Sequence, residues 1–162
     1  MTFLFDLDGT LIDTEKFYRI AWPEAMSHFG YSFNQEDYLP IRSLGRPFII
    51  DYFKNFTGDD QFDYQKVRDY RKQVFRKLEE TYGIDLKPGV VELLQYLKAK
   101  GIDTAVVTAT EEQQARAYLK ELGILDYFDY VISASEVPCG KPDPAVYCMA
   151  AGTLGQLPEE CV

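Results

Sequence analysis

The pattern of apolar and polar positions divides the chain into three stretches. Thr2 to Phe5 is a short apolar run bounded by polar residues, too brief for a helix, which is how a strand buried on both faces reads. From Glu15 to about Tyr82 the periodicity is helical throughout. Tyr18, Ala21, Trp22, Ala25, Met26 and Phe29 recur at three- and four-residue spacings, and Gly30 closes the segment as a C′ glycine does. Pro23 is expected to kink this helix. A second helix is predicted over Pro47–Phe56, and a third runs from Asp63, as N-cap, to Tyr82, where Gly83 stops it. Beyond Pro88 and Gly89 helix and strand alternate. The pattern predicts a helix over Val90–Lys100 ending at Gly101, a β-branched strand over Asp103–Val107, a helix over Glu111–Leu122 ending at Gly123, a short strand over Tyr130–Ile132, and a helix near Pro144–Ala151 capped by Asp143. Such alternation implies parallel strands joined by right-handed crossovers, hence an α/β chain with a Rossmann-like sheet. The helical stretch 15–82 is inserted between residues 1–14 and 83–162, which form the α/β core.

Where the first strand ends, the chain turns acidic. Asp6 and Asp8 stand two residues apart before Gly9-Thr10, at the place where ligands bind in an open α/β sheet. Read alone, Asp-Leu-Asp-Gly is a turn with Gly9 at positive φ. As a site, the pair of carboxylates calls for a cation, and oxygen ligands without neighbouring His or Cys suit Mg²⁺ rather than zinc. Asp is an accepted nucleophile toward phosphorus, a cation removes the repulsion between carboxylate and phosphate, and a second Asp two residues on can protonate the leaving oxygen. Thr108 places a hydroxyl at the C-terminal end of the second strand beside a helix start, a phosphate-binding arrangement. Thr110, with Gln113 three residues later, fits the capping box of that helix. Asp13 is suited either to cap the first helix or to orient the acidic loop. His28, the only histidine, has no ligand-spaced partner and is assigned to the surface or to partial packing, and Trp22 to the helical core.

The longer string DLDGTLIDTE, directly after an apolar strand, resembles the first motif of the haloacid dehalogenase superfamily, in particular its phosphatase and phosphomutase branch. The resemblance implies that Asp6 is the nucleophile and Asp8 the general acid and base, with both at the Mg²⁺ site. It implies that Thr108 is the second-motif hydroxyl that binds the phosphoryl group. Lys141, in Gly140-Lys141-Pro142-Asp143-Pro144, resembles the third-motif lysine that neutralises nucleophile and phosphate, a role that suits a compact ammonium. Substrate contacts fall by the same resemblance on Gly9, Thr10, Ala109 and Thr110. Arg46, in Leu44-Gly45-Arg46, is a further candidate, offered to the substrate from the helical insertion, which the resemblance makes a cap. The family's fourth motif, an acidic pair that adds Mg²⁺ ligands, is not matched, so the α/β core reads as truncated.

Composition narrows the partners. With 46% hydrophobic and 15% aromatic residues, the 162 residues can bury one core, or one core and a small accessory domain. Seventeen basic against 26 acidic residues give a net charge of -9 with no basic stripe, which argues against nucleic acid and anionic membranes. Cys139, Cys148 and Cys161 form no paired or zinc-type spacing, and no apolar run spans a bilayer, so a reducing cytoplasm is expected. The expected function is Mg²⁺-dependent hydrolysis of a small phosphorylated metabolite. Two alternatives stand beside it: a β-phosphoglucomutase-like sugar phosphate mutase, which Glu111 and Glu112 disfavour by their charge, and an inactive fragment. A first strand lacking a neighbour on one side would also leave Phe3–Phe5 as an exposed edge open to self-association.

Overall fold

The computed structural model describes residues 1–162 except Ser43, Gly45, residues 134–140 and Pro142, together with the side chains of Arg46 and Pro47. Three parallel strands, β1 (Phe3–Phe5), β2 (Thr104–Thr108) and β3 (Tyr130–Ser133), form a sheet in that order. The helices are α1 (Glu15–His28), α2 (Gln35–Tyr38), α3 (Arg46–Thr57), α4 (Tyr64–Tyr82), α5 (Val90–Ala99), α6 (Glu112–Glu121) and α7 (Ala145–Thr153). They divide between two compact units: Met1–Asp13 with Ile84–Val162, and Thr14–Gly83. No described helix is long and apolar enough to cross a membrane.

The sheet is buried on both sides because its strands alternate between two apolar clusters. Phe5, Val106 and Val131 point into one cluster with Leu94 and Leu97 of α5 and Ala115, Tyr118 and Leu119 of α6. Leu4, Val107 and Ile132 meet Val146 and Ala150 of α7 in the other. Every residue of β2 is buried, as expected of a central parallel strand covered on both faces. The registers Phe5 to Val106 and Thr108 to Ser133 bring the C-terminal ends of all three strands to one edge.

The outer side of β1, expected from the sequence to be a bare edge, is partly paired. The Thr2 amide donates to the Glu160 carbonyl at 3.1 Å, the Val162 amide to the Thr2 carbonyl at 2.9 Å, and the Leu4 amide to the Val162 carbonyl at 2.8 Å. Residues 160–162 thus pair with the start of the strand, which satisfies the amide and carbonyl of Thr2 and the amide of Leu4.

The helical unit has its own core, dominated by rings. Trp22, Met26, Phe33, Tyr38, Ile41, Phe53, Phe62 and Val67 are buried together. Helix α1 runs without interruption through Pro23, although proline lacks the amide that would bond back along the helix; Trp22, Ala25 and Met26 around it are buried. Helix α4 starts where expected, with the Asp63 carboxylate accepting from the Lys66 amide. The short α2 has no counterpart in the predicted elements, and its capping box of Asn34 and Asp37 was the available signal. Asp13 does not cap α1. Its carboxylate accepts from the Lys87 ammonium at 3.0 Å and its amide donates to the Asp85 carbonyl at 2.8 Å, so it anchors the end of the acidic loop to residues 85–87.

Phe53 is fully buried, with the rings of Trp22, Phe33 and Phe62 at centroid distances of 4.9, 5.4 and 5.6 Å. Phe53→Ala is expected to destabilise the helical unit by about 3–5 kcal/mol. Because Trp22 is the only tryptophan, its fluorescence during urea unfolding measures this loss; an unchanged midpoint would contradict the assignment of Phe53 to the centre of that core.

Candidate active site

The acidic loop is built by its own backbone. After β1, the amides of Thr10, Leu11 and Ile12 all donate to the Leu7 carbonyl, and the Gly9 amide donates to Ile12 at 2.8 Å. This tight reversal needs a residue at φ 80°, which Gly9 supplies. Leu7, Leu11 and Ile12 are buried and hold the loop on the core, while Asp6 and Asp8 on either side of Leu7 stay partly accessible. Leu7 joins the apolar cluster that holds Phe5, so the alternation of the strand continues past its end.

Lys141 reaches this loop from before α7. Its ammonium donates to Asp6 Oδ1 at 2.7 Å and to the Val107 carbonyl at 3.1 Å, and lies 5.1 Å from the centre of the Tyr147 ring. Its side chain is 18% exposed and that of Asp6 31%. Burial works to lower the Lys141 pKa, but the hydrogen bond and charge of Asp6, assisted by Tyr147, outweigh it and hold the ammonium above its ordinary value of 10.5. A raised folded pKa means that the pair is intact below 10.5 and is lost only as pH climbs through the raised value. At neutral pH the site therefore carries a fixed positive charge against its acidic surroundings.

Thr108 ends β2 and is fully buried. Its hydroxyl oxygen accepts from the Thr110 amide at 3.0 Å, which leaves its proton available to be donated. Thr110 is not the N-cap that its spacing suggests. Helix α6 begins at Glu112 with Glu111 as N-cap and no side-chain cap bond. The Thr110 hydroxyl donates instead to Asp8 Oδ2 at 2.7 Å. The Thr110 carbonyl accepts from the Ser133 hydroxyl at 2.7 Å. Sequence reasoning passed over Ser133; its signal was a hydroxyl at the last position of a strand, in register with Thr108.

Asp6, Asp8, Thr108, Thr110 and Lys141 are thus brought together in one unit, with Gly9 and Thr10 in the acidic loop and Ala109 exposed between the two threonines. The side chain of Arg46 lies outside the described residues, as do Cys139, Gly140 and Pro142. His28 is exposed and stacks on Tyr70 at 3.9 Å.

The donor set fits a hard cation. Asp6 and Asp8 offer only oxygen, and no group of three or more His, Cys, Asp or Glu that could hold a metal occurs among the described residues. Mg²⁺ is commonly held by one or two carboxylates, keeping waters and substrate oxygens in its other positions.

A family model described as haloacid dehalogenase-like hydrolase matches residues 1–162. Hexitol phosphatase A of Escherichia coli strain K12 is 33% identical over 160 residues, covering 99% of this chain and 71% of that protein. The phosphorylated carbohydrates phosphatase of Thermotoga maritima is 29% identical over 163 residues, covering 98% of this chain and 73% of its own length. Among solved structures, a β-phosphoglucomutase from Clostridium difficile matches with a TM-score of 0.81 at 26% identity, over 99% of this chain and 73% of that one. The chain belongs to the haloacid dehalogenase-like hydrolases, in the branch of the phosphatases and β-phosphoglucomutases. It is a hydrolase of the phosphatase kind.

Lys141 is the fixed cation closest to Asp6 among the described ion pairs. Lys141→Ala is expected to lower turnover of all phosphomonoesters alike, by about 3 kcal/mol of transition-state stabilisation. Comparing kcat/KM for several unrelated phosphomonoesters checks this; a loss confined to one substrate would make Lys141 a specificity residue instead.

Proposed function

We propose that this protein is a Mg²⁺-dependent phosphomonoester hydrolase that acts through an aspartyl phosphate on Asp6, with a phosphorylated carbohydrate as substrate and the cytoplasm as its compartment. The observation that carries the proposal is the carboxylate of Asp6 held at 2.7 Å by Lys141, with Asp8 and Thr108 on the same sheet edge. The substrate class rests on the relatives named for phosphorylated carbohydrates and hexitols.

In this reading Asp6 attacks phosphorus and forms an O–P bond while the bond to the alcohol oxygen breaks. Asp8, as the carboxylic acid, gives its proton to that departing oxygen. Now a carboxylate, Asp8 takes a proton from water, whose oxygen attacks the phosphoryl group and releases phosphate and free Asp6. Lys141 keeps Asp6 oriented and offsets the added negative charge, and the Thr108 hydroxyl donates to a phosphoryl oxygen. Mg²⁺, held by Asp6 and the Asp8 backbone carbonyl, would neutralise the phosphate as the nucleophile approaches. The family resemblance assigns residues 15–82 the role of a cap and makes Arg46 a candidate substrate residue.

A mutase reading shares every one of these residues, and the likeness to β-phosphoglucomutases keeps it in view. Glu111 is exposed at the start of α6 and repels a second phosphate, whereas the charge of Glu112 is offset by Arg116 at 2.6 Å. The balance favours the phosphatase.

Asp6→Asn keeps the shape of the side chain without its nucleophilic charge and is expected to abolish turnover with folding intact. Trapping by beryllofluoride with mass-spectrometric location of the acyl phosphate checks the bond; substantial residual turnover in Asp6→Asn would refute the mechanism. Chelation of Mg²⁺ by EDTA should also stop hydrolysis, and added Mg²⁺ should restore it. Activity that persists in EDTA would remove the metal from the proposal.

A further inference from the structure

Thr110 is bonded through its amide, its carbonyl and its hydroxyl, and the three partners come from three different places in the fold. Its amide donates to the Thr108 hydroxyl at the end of β2, its carbonyl accepts from Ser133 at the end of β3, and its own hydroxyl donates to Asp8 in the acidic loop. The two backbone bonds set the position of its Cα, and the β-branched side chain has few rotamers. The hydroxyl is therefore aimed, and what it is aimed at is a carboxyl oxygen at 2.7 Å.

Three uses are open to such a threonine. Capping is excluded, because α6 begins two residues later behind Glu111. Binding substrate requires the hydroxyl to leave Asp8. Holding Asp8 requires nothing to move, and a hydroxyl can do it throughout a reaction cycle, as donor to a carboxylate and as acceptor from a carboxylic acid.

We propose that Thr110 is a positioning residue for Asp8, and that Ser133 supports it by fixing its carbonyl. The inference rests on the acid and base role given to Asp8 above. An aspartate side chain at a loop tip has two rotatable bonds, and proton transfer needs its oxygen within hydrogen-bond reach of the departing alcohol and then of water. Removing the contact takes away one of the bonds that hold the carboxyl oxygen in place and loosens its aim. Misplacement of a catalytic group costs up to about 100-fold in rate.

The test is pre-steady-state hydrolysis of 4-nitrophenyl phosphate, whose leaving group needs little protonation. Thr110→Val removes the hydroxyl and keeps the shape. The expected result is a near-normal first turnover of nitrophenolate followed by a steady rate about 10- to 100-fold slower, with KM level or lowered. Thr110→Ser should recover most of the loss, and Ser133→Ala should lose less in the same pattern. A raised KM with unchanged kcat would make Thr110 a substrate ligand and overturn the proposal, and so would a Thr110→Val enzyme indistinguishable from the parent. Circular dichroism checks that the variants fold; should Thr110→Val not fold, the Ser133→Ala pattern decides. Asp8→Asn is the reference. If it turns over normally, the role of Asp8 itself fails; if it is inactive while Thr110→Val and Ser133→Ala are normal, only the positioning role fails.

Discussion

Two carboxylates placed at the end of a buried strand are the constraint that the α/β unit answers. Asp6 and Asp8 would repel one another and any phosphate, and the protein as a whole carries a net charge of -9. The compensation is local. Lys141 comes to Asp6 from 135 residues away in sequence, and Thr110 comes to Asp8 from 102 residues away. Each contact depends on the sheet: the Val107 carbonyl helps to place the ammonium, and the ends of β2 and β3 place Thr110. A fixed ammonium and fixed hydroxyls in a partly desolvated site act more strongly than the same groups in water, because they need not reorganise when charge develops.

This arrangement explains why β2 is the most buried strand. It carries Thr108, which must stay in position, and it lies between strands that deliver Asp6 on one side and Ser133 on the other. Its apolar residues alternate between the cluster of α5 and α6 and the cluster of α7, so the helices on both faces grip the same short strand.

The helical unit is organised by a different principle. Its core is made largely of rings that meet tilted or edge-on, with Phe53 at the centre and polar hydroxyls paired at the margin: Tyr38 to Glu15 at 2.7 Å and Tyr31 to Asp59 at 2.6 Å. Burial and the Glu15 hydrogen bond push the Tyr38 pKa far above its ordinary value, so this hydroxyl remains a donor at any working pH. Aromatic side chains bury much area per residue, which lets a stretch of only 70 residues, Thr14–Gly83, sustain a core of its own.

What the sequence determined by itself was whatever is written in adjacent residues. The acidic pair, the glycine of the loop, the order of the strands and of the helices other than α2, and the ends of α4 at Asp63 and Gly83 are all local, set by backbone sterics, periodicity and capping, and they were legible. The family motifs around Asp6, Thr108 and Lys141 were legible for the same reason. What only the tertiary structure decided were contacts between strings that lie far apart. The spacing of Thr110 and Gln113 spoke for a cap, but the chain leaves β2 in a direction that makes Glu111 the cap and turns the Thr110 hydroxyl to Asp8. Asp13 was likewise open between two local roles until Lys87 engaged it, and Ser133 carried no signal beyond its place at the end of a strand. The outer side of β1 read as bare because the neighbouring strand that the family resemblance implies is not matched, yet Glu160–Val162 makes three backbone hydrogen bonds to Thr2 and Leu4. Hydroxyls and backbone amides bond to whatever the fold brings within 3 Å, and local propensity cannot name a partner that the chain reaches only after a hundred residues.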